Sequence, residues 1–261
     1  MAILKKIKSK IKSFITKPYS NNANLNLLTR YSSYDRAIIL GSSPSINELE
    51  LNNFSDDTMV ISMGNFFEHP EINQINPSIH IFAASHPPIT EAVLINWWTR
   101  CNQILPLSTP VMVEKRDQVI AERIFNKREV FTYSYGGSFP IDFTKQIKSP
   151  FSVSQIAMQL GVYVKIKKIY FIGIDLHWRL LDPYLHFYSH EKPSLEYYLK
   201  KEGIKVSHEN DKDFSKNKFY YVHKVYMSFE EINKQAKLNG VSLLNANKNS
   251  KFDVFDYEDY E

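Results

Sequence analysis

The chain has 261 residues, a formal net charge of +4, 43% apolar and 23% charged residues, and one cysteine. That length holds one core plus a subdomain, and the composition excludes collagen, coiled-coil and wholly disordered classes. Cys101 alone forms no internal disulfide and supplies no multi-cysteine zinc module, and so small a net charge makes no case for nucleic acid.

Residues 1–20 carry Lys5, Lys6, Lys8, Lys10, Lys12 and Lys17 and no acid. Ile3, Leu4, Ile7, Ile11, Phe14 and Ile15 recur at helical spacing. An apolar stripe beside a lysine face is the pattern of a helix lying on an anionic membrane surface. The segment lacks the unbroken apolar stretch of a secretory signal, and no run in the chain reaches the ~20 apolar residues of a membrane span. A solubilising, unstructured N-terminus is the competing reading.

Pro18 to Asn26 is polar and Asn-rich and reads as a linker. Arg36-Ala-Ile-Ile-Leu40 reads as a buried strand entering a small-residue turn, Gly41-Ser-Ser-Pro-Ser45. Strands are expected at 57–63, 78–84, 110–113 and 129–133, and a helix at 89–98. Ser152 to Val162 reads as a helix, and Lys168-Ile-Tyr-Phe-Ile-Gly173 as a strand with both faces buried. The stretch 179–222 is charged, aromatic-rich and without a clean period, as in a lid or binding insertion. Ser228-Phe-Glu-Glu231 has capping-box spacing and predicts a helix start, with an end at Asn239-Gly240. Val241 to Leu244 reads as the last strand. Asp253, Asp256, Glu258, Asp259 and Glu261 make an acidic tail expected to be solvated and frayed.

Short buried strands alternating with helices predict an α/β fold: a Rossmann-like parallel sheet with helices on both faces and a smaller lid subdomain. The organisation that follows is a basic amphipathic segment at 1–20, an α/β domain from 30–178 with 223–250, a lid insertion at 179–222 and an acidic tail at 251–261.

Ligands of open parallel sheets bind beyond the carboxyl ends of the strands, so residues there are the candidates. Gly41, Ser42 and Ser43 lie in a turn whose backbone amides can approach an anion. It is neither a GxGxxG fingerprint nor a Walker loop. Asn65 follows the second strand and Ser85-His86 the third, while Gly173 and Asp175 close the strand at 168–173. Each of these also suits an ordinary turn, cap or salt bridge. Of the eight histidines, His177, His186, His190, His208 and His223 fall late, and an imidazole can take a proton from a hydroxyl nucleophile. His186 and His190 have i,i+4 spacing, but no HExxH or nearby cysteine supports a metal site.

In this order the pieces resemble the bacterial sialyltransferases of glycosyltransferase family 42. The family's Gly-Asn-Gly-Pro-Ser turn is met by Gly41-Ser42-Ser43-Pro44-Ser45, and its Asn after the second strand by Asn65. Its helix start and Ala-Leu-Gly, then Gly-Ile-Asp, are met by Ser149, Leu160-Gly161 and Gly173-Ile174-Asp175. A late His, then Asn-Ser, are met by His223 and Asn249-Ser250. The resemblance implies an inverting, metal-independent transfer of a sialic-acid-like sugar from a CMP-sugar to a hydroxyl of a surface glycan or glycolipid. No further cofactor is implied.

On that resemblance His223 is the general base. His177 and Tyr184 stand near the family's two phosphate-supporting tyrosines. The turn, Asn65 and Ser149 hold the nucleotide phosphate and ribose; Gly173, Asp175, Asn249 and Ser250, and Ser85 by its strand-end place, are further candidates for the same cradle. Ser42 replaces the family's Asn, which leaves sialic acid, Kdo or another nonulosonic acid open as the sugar. The enzyme is expected in the cytoplasm, peripheral on the inner membrane face through residues 1–20, and self-association is a family trait. Two alternatives are an ATP-dependent, Mg²⁺-requiring pyrophosphokinase-like enzyme, which shares a Gly-x-x-Pro-Ser turn and Gly-x-Asp strand end, and a non-catalytic nucleotide-binding assembly module.

Overall fold

The computed structural model describes residues 19–51, 53–175, 186–188, 193–204, 214–250 and 252–260. The N-terminal basic segment up to residue 18, and with it most of the expected membrane-surface helix, lies outside them, as do His177, Tyr184, His190 and His208.

The strands are β1 (Arg36–Leu40), β2 (Thr58–Met63), β3 (Ile79–Ile81), β4 (Val111–Glu114), β5 (Val130–Gly137), β6 (Gln146–Lys148), β7 (Lys168–Ile172), β8 (Ser242–Asn245) and β9 (Asp256–Tyr257). They form one sheet in the order β6-β5-β4-β3-β2-β1-β7-β8-β9, with every neighbouring pair parallel. The fold is Rossmann-like α/β.

The weak alternation of the strands has a direct cause. Ala37 and Ile39 face one core together with Ile156, Leu160, Phe229 and Ile232 from helices Val153–Tyr163 and Phe214–Leu238. Ile38 and Leu40 face the other, with Trp97, Trp98 and Cys101 from helix Glu91–Ile104. A strand covered on both faces needs apolar side chains at every position. Cys101 belongs to that second core, and burial pushes its thiol well above the usual range, so it is not a nucleophile.

Three expectations differ from the structure. Ser228 does not start a helix: Phe214–Leu238 is one continuous helix, and Ser228 lies inside it, buried, donating to Gln155 Oε1 at 3.2 Å. Its hydroxyl serves a tertiary bond where the spacing suggested a cap, and the expected insertion boundary at 222 falls within this helix. The Asn-rich stretch is no loose linker. Asn24 is fully buried and donates to the Thr132 and Phe143 carbonyls at 2.8 and 2.7 Å, ahead of helix Leu25–Tyr31. The acidic tail docks as well. Phe252 and Phe255 enter the core, Asp256–Tyr257 pairs with β8, and Lys168 bonds Glu258 at 2.7 Å. Aromatic burial outweighs the tail's charge, which stays at the surface.

Candidate active site

The chain runs outward from β1 to β6, returns to β7 beside β1, then continues the other way. The crevice between β1 and β7 is thus the topological switch point, where such sheets bind ligands. Two glycines let the loops meet there. A Cβ on Gly41 would stand 2.1 Å from the Gly173 carbonyl oxygen, and Gly173 has φ +70°. Only glycine fits this contact without displacing backbone.

A cavity of about 370 Å³ opens at this point, lined by Gly41, Ser42, Ser43, Met63, Gly64, Gly173 and the helix start Ser152-Val153-Ser154. A second cavity of about 240 Å³ adjoins it, lined by His86, Tyr133, Tyr135, Phe151 and Tyr221. The two share Ala83, Ser152 and Val153 as a common wall. That wall is the N-terminus of helix Val153–Tyr163, a favourable place for an anion. Ser152 and Ser154 face each other there, Oγ to Oγ 2.7 Å. The described lining of both cavities holds no Asp, Glu, Lys or Arg, and no group of three or more metal-ligating side chains occurs among the described residues.

Asp175 is 3% exposed. It accepts from Ser45 N at 3.2 Å, Ser45 Oγ at 2.7 Å and Asn247 Nδ2 at 3.0 Å. Ser45 Oγ also accepts from Gly173 N at 3.1 Å. Asp175 therefore clamps the turn to the end of β7 from beneath. The turn's outer side meets His186, whose Nδ1 is 3.0 Å from Ser42 Oγ, and Phe187, whose N–H donates to the Ser42 carbonyl at 2.9 Å. Leu195, opening helix Leu195–Lys201, lines the larger cavity. So His186 and Phe187 of the 179–222 segment sit on the turn.

Asn65 is buried in the 3₁₀ turn Gly64–Glu68 after β2. Trp97 Nε1 donates to its Oδ1 at 2.9 Å, which fixes the amide orientation. Its buried Nδ2 has no partner among the described residues. Ser85 is engaged by Asp117, which accepts from Ser85 N at 2.9 Å and from its hydroxyl. Ser149 is exposed and precedes the cavity wall; the hydroxyls at the wall are those of Ser152 and Ser154. Asn249 and Ser250 form the turn after β8. Asn249 Nδ2 reaches Glu48 at 3.4 Å, and Ser250 Oγ accepts from Phe252 N at 3.1 Å. Neither lines the two cavities.

His223 is exposed on helix Phe214–Leu238. Tyr221 and Val225 of that helix line the cavities, and at ~100° per residue His223 lies about 160° around the helix from either. Its ring is not brought to the described cavities, and His86 is the imidazole that lines one.

Ser45, Asn247 and Ser152 were not among the candidate site residues, although Ser45 ends the recognised turn and Ser152 opens the expected helix. Ser152 had a signal: Ser152-x-x-Gln155 is capping-box spacing, and Gln155 Oε1 accepts from Phe151 N at 2.7 Å. Asn247 had none, because its partner is far along the chain.

Comparison with solved structures gives the same fold. A monofunctional α-2,3-sialyltransferase, Cst-I from Campylobacter jejuni, superposes with TM-score 0.52 at 10% identity, covering 86% of this chain and 80% of that one. The sialyltransferase CstII from Campylobacter jejuni, solved with cytidine-5'-monophosphate, gives TM-score 0.42 at 16% identity, covering 85% and 84%. At 10% identity the likeness to Cst-I is one of fold alone. No curated protein matches the sequence. A family model described as 6-hydroxymethylpterin diphosphokinase MptE-like matches residues 12–180. That span exceeds half of the chain and takes in both β1 and β7 with the loops that meet at the crevice, and the chain belongs to the MptE-like family.

Proposed function

We propose that this protein is an inverting, metal-independent glycosyltransferase that moves a sialic-acid-like sugar from a CMP-sugar to a hydroxyl of a glycan. The observation that carries this reading is the paired cavity at the switch point, with hydroxyls and a helix N-terminus at its dividing wall. CMP departs readily only if its phosphate charge is stabilised as the glycosidic C–O bond breaks. Pre-placed hydroxyls and amides aimed at that phosphate do this with little reorganisation.

In this reading the nucleotide occupies the larger cavity against Gly41, Ser42 and Ser43, and its phosphate meets Ser152 and Ser154. Asn65, which lines neither cavity, is proposed to contact the nucleotide on family resemblance alone. His177 and Tyr184 are proposed, on family resemblance, to support the departing phosphate. The acceptor enters from the aromatic cavity. Residues 1–20 are proposed to hold the enzyme on an anionic membrane surface beside a lipid-linked acceptor, on the cytoplasmic side. Self-association is a further proposal, on family resemblance.

The second reading is Mg²⁺-dependent diphosphate transfer from ATP, favoured by the description of the matching family. A thermal-shift series with CMP, CDP, UDP, GDP and ATP, each with Mg²⁺ and with EDTA, separates the two. Stabilisation by CMP that survives EDTA is expected. Stabilisation by ATP and Mg²⁺ alone rejects sugar transfer in favour of the second reading.

A further inference from the structure

We infer that His86 is the general base that deprotonates the acceptor hydroxyl, and that the aromatic cavity beside it is the acceptor subsite. This assignment rests on the reading of the protein as a sugar transferase.

His86 lines that cavity. Its Nδ1 lies 2.8 Å from the Pro87 carbonyl oxygen. A carbonyl can only accept, so in the neutral ring the proton sits on Nδ1 and Nε2 keeps its lone pair. The loop's own backbone thus sets the tautomer that a base requires. His86 is also exposed, so a proton taken up at Nε2 passes directly to solvent.

The surrounding rings suit an acceptor with both apolar faces and hydroxyls. Tyr133 OH donates to the Phe82 carbonyl at 3.0 Å, Tyr221 OH to the Phe151 carbonyl at 2.9 Å, and Tyr135 OH bonds Arg116. Tyr133 and Tyr221 spend their O–H protons on those carbonyls and offer a ligand ring surface, which matches the C–H faces of a sugar, while Tyr135 accepts from Arg116 and keeps its O–H proton for a ligand hydroxyl. The subsite shares the Ser152–Val153 wall with the larger cavity. In this assignment donor and acceptor meet at that wall.

The step balances without a further reactant. The acceptor O–H proton goes to His86 Nε2, and the acceptor oxygen bonds the anomeric carbon. The bond from that carbon to the phosphate oxygen breaks, and its electron pair leaves with CMP at the helix N-terminus.

Two readouts on the full chain test this. Two-bond ¹H–¹⁵N spectra of the resting protein, with His86 identified by its loss in His86→Gln, are expected to show the Nδ1–H tautomer. An Nε2–H tautomer overturns the assignment without any substrate. In parallel, CMP release from CMP-N-acetylneuraminic acid and CMP-Kdo is followed with water as acceptor. His86→Gln is expected to lower release about 100-fold and to leave the CMP thermal shift unchanged. Full release in His86→Gln, or loss confined to His223→Gln, overturns the base assignment while the transferase reading stands. If the unmodified protein shows no CMP stabilisation and no release, sugar transfer itself falls, and this assignment with it. If CMP stabilises the unmodified protein and neither donor is consumed, the base assignment is overturned.

Discussion

Replacing Asp175 with Asn separates two roles that a buried carboxylate at a strand end can have. The carboxylate accepts three bonds, two from Ser45 and one from Asn247. Asn keeps the shape but offers one acceptor oxygen and one NH₂. Whichever way it turns, a donor faces a donor, either Ser45 N–H or the Asn247 amide. Hydrogen bonds to a charged group contribute about 1.5–3 kcal/mol each, and an unsatisfied buried donor costs about 1–3 kcal/mol. A loss of roughly 3 kcal/mol is therefore expected. For a chain of this size that corresponds to a fall in Tm of about 6–12 °C. Differential scanning calorimetry gives the stability, and CMP titration of the folded variant gives the affinity. The clamp predicts that both fall, because the turn carrying Gly41 to Ser43 loses its support. Unchanged Tm with abolished CMP binding would refute the clamp and make Asp175 a direct ligand contact.

Gly41→Ala should push the turn away from β7, since its Cβ would meet the Gly173 carbonyl oxygen at 2.1 Å; loss of CMP stabilisation in a chain that still folds is expected, and unchanged binding would show that the close approach is unnecessary. His80 is fully buried, with Ser62 Oγ 2.7 Å from its Nδ1 and the Gly64 carbonyl 3.1 Å from its Nε2, and desolvation lowers its pKa to about 3. The unfolded chain then binds a proton that the native state refuses as pH falls below ~6.5, so lowering the pH from 7 to 5 should remove about 2 kcal/mol of stability through this residue. Urea melts of the parent and His80→Gln should show that component missing in the variant; parallel pH profiles would exclude it. Truncation after residue 251 removes buried Phe252 and Phe255 and the β9 pairing, and should cost at least the ~3–5 kcal/mol typical of losing one large buried aromatic; an unchanged melting curve would mean the tail's docking is not stabilising.

Most of the fold was legible in the sequence, because apolar runs flanked by turn residues mark strands locally. β1, β2, β4, β7 and β8 lie within a residue or two of their expected limits, and lack of alternation within them already implied cover on both faces. The turn at 41–45 and the Gly-Ile-Asp at 173–175 were recognisable as strand ends. Helix Phe214–Leu238 was half missed, because Ser228 carries a cap's local pattern while its hydroxyl is used across the core. The tail was misjudged because charge is visible in a window of sequence and the fit of Phe252 and Phe255 into a distant core is not.

Composition and pattern by themselves determined a parallel α/β sheet and the end of it where ligands bind, since both follow from short-range periodicity and turn chemistry. Only the tertiary structure decided which polar groups face the crevice. It turned Asp175 inward as a clamp, engaged Ser85 with Asp117, carried His223 to the outer side of its helix, and set His86 beside the cavity. The physical reason is that a side chain's direction depends on helix phase and on partners tens of residues away, and no local window of sequence contains either.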